Sequence, residues 1–211
     1  MAVITNYEKT VLVLLDRDGV VCANRKHGVL SYSEFRPVPG LRNSLKKFSG
    51  ARFRVGIITN QPYLSEGLLS AYDLDRINKH LSDTAIRSGI ERSHFTIKVC
   101  PHARLAGCRC RKPNIGLVEQ VVKHFRLDTR RLRLYIVGDT PRDMETADNY
   151  YKRVLAHRGV SRNCVTRVLI KWRYGDNKAD AELVGHGHGQ DFVVRSLDSA
   201  ARLILKLERE R

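Results

Sequence analysis

The sequence predicts an α/β fold in three layers, a central parallel sheet with helices on both faces. Four short runs, Val11–Leu15, Arg52–Thr59, Phe95–Val99 and Leu132–Val137, have the length and apolar character of strands buried on both faces. Stretches with apolar residues at helical spacing lie between them, so strands and helices alternate along the chain. Each run also ends abruptly in a polar cluster: DRDG, NQP, the cysteine-rich CPHARLAGCRCRK and GDTPRD. Parallel sheets of this kind bind ligands beyond the carboxyl ends of their strands, so the four clusters are expected to converge.

Taken in order, VLVLL is the first strand and DRDG its exit. Leu41–Phe48 reads as a short helix. RFRVGIIT, residues 52–59, is the second strand. Ser65–Arg87 carries apolar residues at 68, 71, 74, 77 and 81 and reads as one long helix. FTIKV is the third strand, and Ile115–Phe125 the helix after it. LRLYIV is the fourth strand. Pro141 then stands at a first helical turn, where its missing N–H costs nothing, and the helix runs over Arg142–His157. Tyr150–Arg162 is basic and reads as an insertion, and GHGHGQ (185–190) as a loop. Ser196 caps a last helix with Leu197, Ala200, Ala201 and Ile204 on one face.

Composition narrows the class. With 211 residues, 42% of them hydrophobic, the chain suits one domain with a substantial core. It has no apolar run long enough to span a membrane, and MAVITNYEKT lacks the pattern of a secretory leader. The five cysteines are odd in number, and three are clustered, which points to a reducing, cytoplasmic setting rather than a disulfide framework. The net charge of +16 points to anionic partners, nucleic acid or phosphorylated metabolites. The charges are scattered, so a solvated basic surface explains them equally well.

The clusters carry the chemistry. Asp16 and Asp18 lie two apart after a buried strand, so their side chains point the same way. Such a pair can act as nucleophile and general acid, or can hold Mg²⁺. Gly19 lets the backbone turn sharply. Asp139 and Asp143 add carboxylates after another strand, Thr59 offers a hydroxyl, and Lys112 offers a cation. Each of these has a plain reading on its own: a solvated turn, an acidic helix start, a capped strand end.

The ordered combination is more specific. D-x-D-G, then T-N, then a lysine before a helix, then G-D-x-x-x-D resembles the haloacid dehalogenase (HAD) superfamily of phosphohydrolases, over Leu12 to Asp143. LLDRDG, ITNQ, C-x-H…C-x-C, RKP and VGDTPRD resemble the branch holding the heptose bisphosphate and histidinol-phosphate phosphatases. The resemblance implies a Rossmann-like HAD domain over 1–211, without a large cap, and with a small zinc loop at 100–110. It implies that Asp16 is the nucleophile and Asp18 the general acid and base. Mg²⁺ would be held by Asp16, the main-chain carbonyl of Asp18, and Asp139. Thr59 and Lys112 would hold the phosphoryl group, with Asp143 in support. Asn60 and Arg111 would contact substrate, as would Arg25, Lys26, His27 and Gly28 of the first loop.

Cys100, His102, Cys108 and Cys110 form a Cys₃His set suited to tetrahedral, structural Zn²⁺, although C-x-H and C-x-C are tighter than zinc-finger spacings. The usual redox motif is C-x-x-C, which disfavours a redox pair. Val20 departs from the family's usual threonine. Thr140 stands where bisphosphatases of the branch often have a substrate-binding lysine. His186 and His188 could pair on a metal, but a Gly/His loop is the plainer reading. Trp172 reads as packing, and Cys22 and Cys164 as ordinary thiols. A monomer is the default expectation. Two alternatives stand beside a metabolite phosphatase: a nucleic-acid 3′-end phosphatase, motivated by the charge, and a non-catalytic zinc-knuckle RNA-binding protein.

Overall fold

A computed structural model describes residues 9–25, 27–171, 181–183 and 190–211. The strands are β1 (Thr10–Leu15), β2 (Arg54–Asn60), β3 (Phe95–Cys100), β4 (Leu132–Gly138), β5 (Val165–Ile170), β6 (Ala181–Leu183) and β7 (Gln190–Val194). The helices are α1 (Leu41–Gly50), α2 (Ala71–Arg87), α3 (Gly116–His124), α4 (Pro141–Tyr150) and α5 (Leu197–Arg209). All seven strands join one sheet in the order β3-β2-β1-β4-β5-β7-β6. Every neighbouring pair is parallel except β6 with β7. The predicted α/β architecture with a central parallel sheet is therefore what the chain adopts.

β1 shows why the sheet needs two helical layers. Its odd residues Val11, Val13 and Leu15 pack with Leu41, Leu45 and Phe48 of α1, Ile77 and Leu81 of α2, and Ala200 and Ile204 of α5. Its even residues Leu12 and Leu14 pack with Leu117, Val118 and Val121 of α3 and with Ala147 and Tyr150 of α4. Successive side chains of a strand face opposite sides, so a run apolar at every position must be covered twice. Each fully buried leucine contributes about 2–3 kcal/mol through the water it no longer orders.

The segments between strand and helix, 16–40, 61–70 and 101–115, contain only short turns and isolated bridges. Among the described residues no separate cap covers the carboxyl end of the sheet.

Three boundaries differ from expectation, each for a local reason. β2 begins at Arg54 because Arg52 takes a positive φ of 56°. The helix predicted from Ser65 begins at Ala71. Gly67 turns the chain at φ 70°, and the Ser70 hydroxyl caps α2 by accepting from the Asp73 N–H at 3.0 Å. The helix expected over Arg142–His157 keeps its α form only to Tyr150. It passes through a π turn (Tyr151–Leu155) and a 3₁₀ turn (Ala156–Arg158), anchored by fully buried Leu155. β5, β6 and β7 were not anticipated. Arg167 interrupts the apolar run of β5, and β7 is only five residues long. Lys26, Trp172, His186 and His188 lie outside the described residues.

Candidate active site

The four polar clusters meet beyond the carboxyl ends of β1, β2, β3 and β4. The Asp16 N–H donates to the carbonyl of Val137 at 2.9 Å, which locks the exit of β1 to the end of β4. Asp16, Asp18, Thr59, Lys112 and Asp139 line one small cleft of about 130 Å³, with Asn24, Asn60, Thr140 and Arg142 at its walls.

Lys112 is the hub. Its ammonium lies 2.6 Å from Asp16 Oδ1 and 2.6 Å from Asp143 Oδ1, and the side chain is 3% exposed. Asn60 fixes the lysine backbone from both sides. Its Nδ2 donates to the Lys112 carbonyl at 3.1 Å, and its Oδ1 accepts from the Lys112 N–H at 2.9 Å. Both ends of that amide are engaged, so Asn60 positions Lys112, while its second Nδ2 hydrogen is not used in these bonds and the residue lines the cleft. Asp143 also accepts from the Thr140 hydroxyl at 2.6 Å. Its close approach depends on Gly138, where a Cβ would sit 2.2 Å from Asp143 Cβ.

Asp18 is held from several sides. Arg17 donates to it through Nε at 3.2 Å and Nη2 at 3.0 Å, and Gln61 Nε2 donates to Oδ2 at 2.9 Å. The Cys22 thiol lies 3.3 Å from Oδ1. Gln61 also reaches the Thr59 hydroxyl at 2.8 Å, so the two strand exits are tied by one amide. Arg17 is fully buried, which makes its guanidinium a fixed part of the site.

Asp139 stands apart in one respect. Asn24 Nδ2 donates to its Oδ2 at 3.2 Å, but its buried Oδ1 has no hydrogen-bond partner among the described residues. Gly19, at φ 88°, allows this approach, since a Cβ there would lie 1.8 Å from Asp139 Oδ2. Burial pushes the Asp139 carboxyl up to about 6, and the neighbouring Asp143 adds to the rise. Burial likewise pushes Asp16 up to about 7, against the pull of Lys112. Oxygens of Asp16, Asp139 and Asp143 lie within 4.8 Å of one another. An orphaned buried carboxylate oxygen among crowded acids suits a hard divalent cation.

The cysteine loop leaves the end of β3. Cys100 Sγ lies 3.5 Å from Cys108 Sγ, and Cys110 Sγ lies 3.6 Å from Cys108 Sγ. His102 Nδ1 is 3.2 Å from Cys110 Sγ and 3.6 Å from Cys100 Sγ. A tetrahedron of Zn–S bonds of about 2.3 Å has edges of about 3.8 Å, so this spacing fits a four-coordinate ion and is too long for a disulfide. The loop leads straight to Arg111 and Lys112. Arg111 Nη1 is buried without a partner among the described residues.

The first loop is more loosely connected to the cleft. Arg25 donates to the Glu34 carbonyl at 3.3 Å, and His27 is exposed. Gly28 packs where a Cβ would meet the Tyr63 ring at 2.7 Å. Arg104 of the cysteine loop donates to the Tyr63 hydroxyl at 2.8 Å, so Tyr63 joins the three rim loops.

Sequence reading had not singled out Arg17, Cys22, Asn24, Gln61 or Arg142. Arg17 and Gln61 sit inside the quoted clusters, and their neighbours were the signal available. Asn24 meets Asp139 across 115 residues, a contact no local pattern announces.

No family model matches the chain. It is similar to a D-glycero-beta-D-manno-heptose-1,7-bisphosphate 7-phosphatase of Pseudomonas putida, 30% identical over 136 residues, 64% of this chain and 75% of that one. It is 36% identical over 140 residues to the D-glycero-alpha-D-manno-heptose-1,7-bisphosphate 7-phosphatase of Mycobacterium bovis, 65% of this chain and 71% of the relative. Among solved structures, the D,D-heptose 1,7-bisphosphate phosphatase of B. bronchiseptica, complexed with magnesium and phosphate, superimposes with a TM-score of 0.69 at 25% identity. That match covers 93% of this chain and 99% of the other.

Proposed function

The chain belongs to the D-glycero-D-manno-heptose-1,7-bisphosphate 7-phosphatase family of HAD phosphatases, and from that premise we propose that it removes the 7-phosphate of a heptose 1,7-bisphosphate through an aspartyl-phosphate on Asp16. It is a phosphoric monoester hydrolase acting on a small phosphorylated sugar. The observation that carries the mechanism is the pairing of Asp16 with Lys112, opposite an Asp18 held rigid by Arg17 and Gln61.

In the first step a carboxylate oxygen of Asp16 bonds to phosphorus as the P–O bond to the sugar breaks. Asp18 delivers its proton to the departing sugar oxygen. In the second step Asp18 takes a proton from water, whose oxygen bonds to phosphorus as the bond to Asp16 breaks. Inorganic phosphate leaves and both carboxyl groups return to their starting states. Lys112 Nζ and the Thr59 hydroxyl receive phosphoryl oxygens, and their positions are preset by Asn60, Asp143 and Gln61. Preset charges of this kind stabilise a phosphoryl transition state without reorganisation. Mg²⁺, held by Asp16, the main-chain carbonyl of Asp18 and Asp139, would neutralise charge on the phosphoryl oxygens. Asp143 keeps the role of fixing Lys112.

Structural Zn²⁺ on Cys100, His102, Cys108 and Cys110 would staple a loop with little core of its own. That staple aims Lys112 at the transferred phosphoryl and Arg111 at the remainder of the substrate. Arg142 lines the cleft two residues after Thr140, the position of the family's frequent lysine, and supplies a cation there. Arg25, Lys26, His27 and Gly28 are assigned to the substrate rim. We read residues 1–211 as a single hydrolase domain and as a monomer. A cytoplasmic setting fits, because Cys100, Cys108 and Cys110 must stay reduced to ligate.

Phosphate release from heptose 1,7-bisphosphate, histidinol phosphate and a 3′-phosphorylated oligonucleotide, with and without Mg²⁺, tests the reading. The heptose bisphosphate should turn over fastest, only with Mg²⁺, and Asp16→Asn should abolish turnover. Full activity in Asp16→Asn refutes the nucleophile. A faster oligonucleotide replaces the substrate assignment with the end-phosphatase reading that the +16 charge favours.

A further inference from the structure

A second concave site lies at the opposite end of the sheet. Lys9 precedes β1, Arg130 to Arg133 span the entry to β4, and Asn163 and Cys164 precede β5. Together with Arg158 and Arg211, these residues line a cavity of about 620 Å³, larger than the 130 Å³ catalytic cleft. Six of the twelve described residues that line it are cations, Lys9, Arg130, Arg131, Arg133, Arg158 and Arg211, and none of the twelve is acidic.

Among the described residues, Glu208 and Asp128 reach this neighbourhood from outside the lining. Glu208 pairs with Arg133 at 3.3 Å and with Arg211 at 3.8 Å, and Asp128 lies 3.6 Å from Arg131. Lys9, Arg130 and Arg158 have no carboxylate partner among the described residues; Arg158 donates instead to the Thr129 hydroxyl at 2.6 Å. Helix carbonyls offset some of the remainder, since Arg158 and Arg211 follow the ends of α4 and α5. Lys9 enters from a strand start and Arg130 and Arg131 from a single 3₁₀ turn, while Arg133 meets the last turn of α5 through Glu208. Holding so many cations around one hollow costs repulsion that a bound anion would relieve.

The lining also says which anion. Among the described residues it contains no aromatic ring, and its only larger apolar side chains are Leu132 and Val160. A site for nucleobases would present stacking surfaces. This one offers guanidinium forks, suited to bidentate contact with several phosphoryl groups. We propose that this pocket binds a small polyphosphorylated anion, recognised through its phosphoryl chain alone, at the face of the sheet remote from catalysis.

Tripolyphosphate is the probe, titrated calorimetrically into the full chain without Mg²⁺. The charge-reversal pair Lys9→Glu and Arg130→Glu is the principal variant. Both side chains are exposed, so circular dichroism should show an unchanged fold, and Lys9→Ala with Arg130→Ala serves if it does not. Wild type should bind one equivalent, and the variant should bind at least about tenfold more weakly. Raising salt from about 50 to about 300 mM should weaken wild type far more than the variant. Turnover at the catalytic cleft should be the same in both. Arg142→Ala, which removes an exposed cation from the catalytic cleft, should leave one equivalent of tripolyphosphate bound. Equal affinity in wild type and variant, or loss of binding in Arg142→Ala, overturns the proposal. So does tighter binding of a single-stranded oligonucleotide than of tripolyphosphate, which would make this face a nucleic-acid surface.

Discussion

Lys112→Met removes the cation that holds both Asp16 and Asp143, with little change in side-chain length. The wild-type ammonium is 2.6 Å from both Asp16 and Asp143, in a side chain 3% exposed. At an effective dielectric of about 20, each 2.6 Å contact is worth about 6 kcal/mol before desolvation. Burial of the three charges cancels much of that gain. The net loss on removing one partner of a buried pair is about 3–5 kcal/mol, because the remaining charges stay buried without compensation. For a chain of 211 residues this corresponds to a fall in melting temperature of about 6–20 °C. Urea denaturation measures the free energy, and differential scanning calorimetry the melting temperature. Mg²⁺ adds a second readout. A divalent cation restores positive charge beside Asp16, so it should stabilise Lys112→Met more than wild type. Lys112→Met combined with Asp143→Leu should recover part of the loss, since one stranded charge is gone. If Lys112→Met unfolds within about 1 kcal/mol of wild type and responds to Mg²⁺ no differently, the cation is not the keystone of this site.

Four further outcomes are expected. Gly19→Ala places a methyl group 1.8 Å from the present position of Asp139 Oδ2, so the Mg²⁺ concentration for half-maximal activity should rise by about tenfold or more, read from Mg²⁺ titrations of turnover. Cys108→Ser should lower bound zinc, measured by atomic absorption, and reduce turnover while leaving far-UV circular dichroism near wild type; full zinc occupancy in this variant would remove Cys108 from the ligand set. Leu14→Ala should destabilise by about 2–5 kcal/mol in urea, because Leu14 is fully buried between strands and α3. Burial raises the Tyr135 phenol above its usual value near 10, with its hydrogen bond to Glu208 adding to the rise. The folded state thus keeps that proton longer than the unfolded chain, so its contribution is complete below about pH 10 and lost as pH rises further. Tyr135→Phe should flatten the alkaline limb of a stability–pH curve.

Much of the site could be read from local pattern. Asp16, Asp18, Thr59, Lys112, Asp139 and Asp143 each follow a recognisable strand or open a helix, and the topology rule brings strand exits together. What escaped were the residues that hold them. Arg17 is the unspecified residue of D-x-D-G, yet it is fully buried and grips Asp18. Asn60 was read as a substrate contact, and the fold adds a second role, since both ends of its amide bond the Lys112 backbone. Neither role has a sequence signature, because each depends on which group from a distant segment arrives opposite.

The same division runs through the fold. Period and composition determined β1 to β4 and the faces of the main helices, since burial on both sides demands apolar residues at every strand position. The fourfold Cys/His set announced itself by residue type and short spacing alone. The tertiary structure decided the end of the sheet, where short or charge-interrupted β5 to β7 are defined by their neighbours rather than by their own residues. It also decided the charge balance. Thirty-eight Lys and Arg residues scattered along the chain show no cluster, and only the packing of strand entries against helix ends gathers six of them around one cavity. Sequence fixes local chemistry residue by residue, but electrostatic fields depend on distance in space, which only the folded chain sets.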